Sequence, residues 1–149
     1  MDGQMSQTPH SAFGILYNPD TGTVLLHKRD AQAPVNPGRW GLFGGAVEKG
    51  EEPLQAWLRE LQEELGMAFP PSRVRRLTDY VTESGSHRFV YVLPVRLPKA
   101  AMRLGEGEDF DWFAIDEART LDLTTSTVRD LTLFQELLRS APSRMGGDP

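Results

Sequence analysis

Between Gly44 and Met67 the chain reads GGAVEKGEEPLQAWLRELQEELGM, and no other stretch limits its fold and chemistry as strongly. The second half has the period of an amphipathic helix. At about 100° per residue, Leu54, Leu58, Leu61 and Leu65 fall on one narrow stripe with Trp57 at its edge, the core-facing side of a surface helix. Glu60, Glu63 and Glu64 share a flank of the same helix, three or four residues apart. Like charges at that spacing oppose a helix by a few tenths of a kcal/mol per pair, and a solvated face ordinarily offsets them with lysines. The only cation between Pro53 and Leu65 is Arg59. A glutamate-rich flank alone is ordinarily just solvated. Here it follows Gly44-Gly45, where missing side chains let the backbone approach a ligand, and Lys49-Gly50-Glu51-Glu52-Pro53, a helix start with acidic residues expected in the first turn. Clustered oxygen donors beside a glycine entry point to a hard divalent cation, Mg2+ or Mn2+, next to phosphate.

The spacing Gly45, five residues, Glu51, seven residues, then Arg59-Glu60-Leu61-Gln62-Glu63-Glu64-Leu65-Gly66-Met67 resembles the complete signature of the Nudix hydrolases, with every fixed position matched. The resemblance implies an α/β fold, the Nudix α/β/α sandwich around a central mixed sheet. It also implies a metal-dependent pyrophosphohydrolase that cleaves a nucleoside diphosphate linked to another group X by attack of water on phosphorus. Glu60, Glu63 and Glu64 would hold the metal, with a backbone carbonyl from Gly45. Arg59 would orient a glutamate, Glu51 being the candidate, and Gly44 would lie against substrate. Arg29, at the end of a strand, would reach the substrate's phosphates, for which a planar guanidinium is suited. An acidic residue in the loop 97–109 would approach the metal from the opposite side. Glu106 is the candidate and Glu108 the second choice. Either Glu60 or Glu106 could serve as general base, and the residues do not choose between them. The family more often has proline where this chain has Phe43, a departure that leaves the signature intact but bears on the backbone beside the metal. Phe43 and Trp40 are expected in the core rather than in the site.

The rest of the chain agrees. Its 149 residues suit one domain, expected over 11–140 with flexible ends at 1–10 and 141–149. A net charge of −5 argues against a nonspecific nucleic-acid or anionic-membrane surface, but not against a small nucleotide met locally by metal and arginine. With no cysteine, disulfides, thiolate nucleophiles and Cys-ligated zinc are excluded. No apolar run approaches a membrane span and the first residues lack a signal-peptide core, so a cytoplasmic location is expected.

Strands are expected at Ser11 to Tyr17, Thr23 to His27, Ala46 to Glu48, Val74 to Thr82, His87 to Val95 and Phe110 to Ile115. A closing helix, Thr125 to Ser140, is expected to turn Val128, Leu131, Phe134, Leu137 and Leu138 inward. His87 reads as an exposed turn residue. The substrate's X is not written in the signature. The short chain and the lack of a downstream proline that marks many ADP-ribose hydrolases favour a (d)NTP or an oxidised nucleotide. An ADP-ribose or dinucleoside polyphosphate hydrolase is the alternative. A Nudix-fold nucleotide sensor without turnover is the reading from another class, and an isoprenoid diphosphate isomerase is disfavoured by the missing cysteine. Whether the chain forms a homodimer, and how many metal ions it takes, the sequence leaves open.

Overall fold

Period-2 apolar segments supply strands buried on both faces, and their alternation divides the core in two. The computed structural model describes residues 9–105, 107 and 109–140; the expectations for 141–149, for Glu106 and Glu108 and for the first eight residues of the end expected at 1–10 lie outside these, and His10 belongs to the first strand. Seven strands form one mixed sheet: β1 (His10–Asn18), β2 (Thr23–Lys28), β3 (Trp40–Gly41), β4 (Phe43–Ala46), β5 (Arg75–Val81), β6 (His87–Pro94) and β7 (Asp109–Ala114). Helices are α1 (Pro53–Leu65), the single turn α2 (Ile115–Ala118) and α3 (Thr125–Ser140). Along the central strands Ala12, Leu16, Leu25, Tyr91 and Leu93 pack with Trp57 and Leu61 of α1. Their neighbours Ile15, Tyr17, Val24, Leu26, Val90 and Val92 pack with Leu131 and Phe134 of α3. One helix therefore covers each face, giving the expected α/β/α order. Among the described residues no helix is long and apolar enough to cross a membrane.

β1 and β6 run parallel, whereas the other pairings are antiparallel. The hairpin of β1 and β2 closes at its turn, where Gly22 N–H bonds to the Asn18 carbonyl and Tyr17 faces Val24. Away from that turn the two strands part. The segment 40–46 fills the fork: Trp40 and Gly41 pair with Lys28 and His27 of β2, and Phe43 to Ala46 then pair with Gly14 to Ser11 of β1. This crossing carries the glycine pair into the sheet. It also moves the third expected strand upstream, because β1 offers its ladder to Phe43–Ala46, with only Val47 N–H continuing onto the His10 carbonyl.

Helix α1 begins at Pro53, so Glu51 and Glu52 precede the first turn instead of occupying it. Gln55 Oε1 accepts from Glu52 N–H, and Gly66 ends the helix in the left-handed conformation with its N–H on the Gln62 carbonyl. The buried stripe is rotated from the leucine reading. Trp57, Ala56, Leu61 and Leu65 are buried and Leu54 and Leu58 half-buried. Trp57 takes the centre because the sheet leaves room there; a Cβ on Gly14 would collide with its indole.

α3 is rotated as well. Val128 is exposed, and Thr127, Asp130, Leu131 and Phe134 face inward. The cause is polar. Asp130, fully buried, takes hydrogen bonds from Arg88 Nε and Nη2 at 3.0 and 2.8 Å and from the Tyr80 hydroxyl at 2.8 Å. Arg88 in turn lies over the Phe13 ring, 4.0 Å from its centroid. Burial pushes the Asp130 carboxyl up, opposed by the Arg88 charge and the Tyr80 hydroxyl, and raises Tyr80 to about 12. Removing one member of such a pair strands the other without compensation. Asp130→Ala is expected to lower unfolding free energy by about 3–5 kcal/mol in urea titrations, and Arg88→Met combined with it by less than the sum of the two single changes.

Candidate functional site

The site grows from the junction of β4 with α1. Three successive residues of the crossing segment are each gripped by a side chain. Leu42's carbonyl lies 3.2 Å from His27 Nε2, Phe43's carbonyl accepts from Trp57 Nε1 at 3.1 Å, and Gly44's N–H donates to Glu64 Oε1 at 3.2 Å. Gly45 follows with no side chain to spare, since a Cβ there would run into the Glu60 carboxylate. The glycine entry is thus bare backbone held against the carboxylate flank of α1 by one side chain of β2 and two of α1.

Arg59 organises that flank. Its Nε and Nη2 grip the two oxygens of Glu51 at 2.7 and 3.0 Å, a two-point pair. Nη1 donates to Glu60 at 3.2 Å and to Glu63 at 3.3 Å, Nη2 also donates to the Ala46 carbonyl, and Glu48 lies 3.7 Å away. These contacts raise the Arg59 pKa, Glu51 most of all, and hold the Glu51 carboxyl below its usual range with help from Glu48 N–H. One guanidinium therefore offsets the repulsion among carboxylates that the helix alone leaves unbalanced. Glu64 stands apart: it is buried and turned to Gly44. Among the described residues no three acidic or histidine side chains converge as ligands of one ion. The donors nevertheless match a hard cation in kind: Glu60 lies against the side-chain-free backbone at Gly45, Glu64 takes the Gly44 N–H, and Glu63 stands on the same helix, all oxygen donors with no nitrogen or sulfur among them.

One cavity reaches this ledge through Glu64, and a second shares a wall with the first. The first, about 310 Å3, is lined by Glu64, His27, Arg29, Asp30, Pro34 and Gly107. The other, about 170 Å3, includes Phe13, Asn36, Arg88 and Thr124 to Thr127 at the start of α3. His27 and Arg29 line both. Arg29 Nε donates to the Val35 carbonyl at 2.7 Å, tying down the loop that leaves β2. Phe43 lines neither cavity; it is buried and stacked on His27. The structure thus brings Glu51, Arg59, Glu60 and Glu63 into one cluster, sets Glu64 and Gly44 beside it, and places Arg29 on the cavities. The loop that carries Glu106 returns to the end of α1, where Arg103 N–H and Gly105 N–H meet the carbonyls of Leu65 and Glu64. His87, expected as an exposed turn residue, is half-buried, bonded to Asp79 at 2.7 Å and stacked on Phe89.

Sequence reasoning missed His27, Glu48 and Arg88. For His27 a signal existed: in TVLLHK it has the parity of the buried Leu25, a polar group on an apolar face. Burial first, then the Arg29 charge, lowers its pKa to about 4, against the opposing bond to Leu42. The sign follows directly. Between pH 6.5 and 4 the unfolded chain binds a proton that the folded one refuses, so this stability is complete above pH 6.5 and is lost as pH falls toward 4. The loss is roughly 3 kcal/mol over that window. Urea unfolding at pH 7, 5.5 and 4.5 is expected to show the slope in the parent protein and a shallower one in His27→Gln.

Comparison with known proteins agrees with this arrangement. The NUDIX domain model matches residues 8–135. The nucleoside triphosphatase NudI of Enterobacter sp. (strain 638) is 30% identical over 119 residues, covering 72% of this chain and 84% of that protein. The crystal structure of a MutT NUDIX hydrolase from Burkholderia pseudomallei superposes with a TM-score of 0.67 at 30% identity, over 86% of this chain and 98% of that one. The NUDIX domain of Shewanella oneidensis NrtR, solved with ADP ribose, shares the fold at a TM-score of 0.75 and 21% identity, over 93% and 94% of the two chains. With the domain matched over most of its length and the Arg59-centred glutamates at its heart, the chain belongs to the Nudix hydrolases.

Proposed function

We propose that the protein is a divalent-metal-dependent pyrophosphohydrolase acting on a nucleoside triphosphate or a close relative, releasing the nucleoside monophosphate and pyrophosphate. The observation that carries this reading is the juxtaposition of the Arg59-bound glutamates, the bare Gly44-Gly45 backbone and a cavity that contains Glu64. The NudI relative, a nucleoside triphosphatase, supports the substrate class. Glu60, Glu63, Glu64 and the Gly45 carbonyl would hold Mg2+ or Mn2+. Such an ion neutralises phosphoryl oxygens and lowers the pKa of water.

The chain's own residues supply the rest. Arg59 keeps Glu51, Glu60 and Glu63 in register despite their mutual repulsion. Arg29, on the wall shared by the two cavities, meets the phosphates with its planar fork, so that the polyphosphate runs past Glu64 and the nucleoside occupies the cavity beside Arg88 and Thr124 to Thr127. The proton of the attacking water goes to Glu60 or to Glu106. A net charge of −5 suits a small substrate bound by a few local cations, with neither nucleic acid nor membrane as partner.

Chromatography of the nucleotide products formed from a panel of NTPs, dNTPs, oxidised nucleotides, ADP-ribose and dinucleoside polyphosphates, with Mg2+ or Mn2+, tests this. Turnover is expected, strongest among the triphosphates. Glu63→Gln is expected to lower kcat by on the order of a hundredfold or more with its Tm unchanged, and full activity in that variant would overturn the metal ledge. A nucleotide that raises Tm without being cleaved under any metal would instead identify a binding module.

A further inference from the structure

His27 is an expensive choice for its position. It is the last but one residue of β2, its same-face neighbour Leu25 is fully buried, and it is itself 8% exposed. Its Nδ1 is buried and has no hydrogen-bond partner among the described residues. An unpaired buried acceptor disfavours folding, and a leucine would fill the same face without it. Stability alone does not explain the histidine.

The other ring nitrogen does. A carbonyl oxygen can only accept, so the contact with Leu42 requires the proton on Nε2 and leaves Nδ1 as the bare acceptor. Leu42 is the one residue between β3 and β4, where the chain leaves the ladder of β2 for that of β1. The ring also stacks on Phe43, with centroids 4.6 Å apart and planes at 25°. On the same face of the sheet, α1 grips the next two residues through Trp57 and Glu64. Beyond the backbone ladders, His27 supplies the one side-chain hydrogen bond to Leu42, Phe43 or Gly44 that does not come from α1 among the described residues, and the segment leads directly into Gly45, whose backbone abuts Glu60.

We infer that His27 is a positioning residue of the metal ledge: through Leu42 and Phe43 it fixes the Gly44-Gly45 backbone relative to Glu60 and Glu64. It lines both cavities as well, but its effect on the ledge runs through the backbone of Leu42 and the ring of Phe43. The inference rests on the metal-ledge reading of the glutamates, and is tested on the metal alone so that the two can fail separately.

Binding of Mn2+, followed by electron paramagnetic resonance and calorimetry, is compared among the parent protein, His27→Leu and His27→Gln. Leucine fills the space but lacks the donor; glutamine can place an N–H near the position of Nε2. His27→Leu is expected to keep the parent Tm within a few degrees, because the lost Leu42 bond is offset by the removal of the unpaired Nδ1. The same variant is expected to bind Mn2+ about tenfold more weakly and to lose kcat by a similar factor with little change in KM. His27→Gln is expected to recover most of the Mn2+ affinity.

Equal Mn2+ affinity in the parent and in His27→Leu would overturn the inference. So would a large fall in Tm that parallels the loss of affinity in both variants, which is the mark of a merely structural residue. A parent protein that binds Mn2+ but cleaves no nucleotide would remove the proposed function and leave the His27 comparison standing. A parent that binds no Mn2+ would overturn the metal ledge and this inference together.

Discussion

Two strands that start as a hairpin and then separate leave a wedge of unpaired backbone, and buried N–H and C=O groups do not tolerate that. The segment 40–46 resolves it by pairing first with β2 and then with β1. The step between the two ladders falls at Leu42, so the chain emerges at Gly44-Gly45 on the side where α1 packs. Everything distinctive about the site follows from this closure. The glycines reach the glutamates because the ladder of β1 pulls them there, and α1 is aligned with the glycines because Trp57 fills the space above Gly14 and bonds to Phe43. The fold and the site are thus fixed by the same few backbone pairings.

The electrostatics show the same economy. A helix flank bearing Glu60, Glu63 and Glu64 works against itself, and Glu48 and Glu51 add to the charge around it. Arg59 answers with all its nitrogens: two on Glu51, one shared between Glu60 and Glu63, and a further bond to the Ala46 carbonyl. The Glu51 pair is geometrically the best, which leaves the looser contacts to Glu60 and Glu63 as those most readily exchanged for another cation. A lysine at this position could not span the same partners, since an ammonium offers no planar fork.

What could be read from the chain beforehand was whatever local periodicity or a compact motif encodes. The helix of Pro53 to Leu65, the hairpin turn at 18–22, the paired strands after the helix and the α/β/α order all follow from residues close in sequence. The misses have a common cause, contacts between residues far apart. Val128 was expected inside because the leucine stripe of α3 suggested it, yet Asp130 turns the helix toward Arg88, 42 residues away. Trp57 was set at the edge of its stripe, and its central place depends on Gly14. The strand expected at Ala46 to Glu48 slid upstream because its register is dictated by β1. His27 and Phe43 explain each other only once they are stacked; in the sequence one is a polar residue near a strand end and the other a departure from the family's proline.

These departures from local rules are not scattered. The buried carboxylate of Glu64, the Nδ1 of His27, which has no partner among the described residues, and the close approach at Gly45 lie within one continuous region around the crossing segment. Each disfavours folding where it stands, and the apolar layers on either side of the sheet supply the stability that sustains them. The Arg88–Asp130 pair differs in kind, because its hydrogen bonds are satisfied within the fold and its charges are matched. A buried polar group that is fully paired can be explained by specificity of packing. One left unpaired needs another account, and at the junction of β3 and β4 that account is the exact placement of the backbone that the glutamates face.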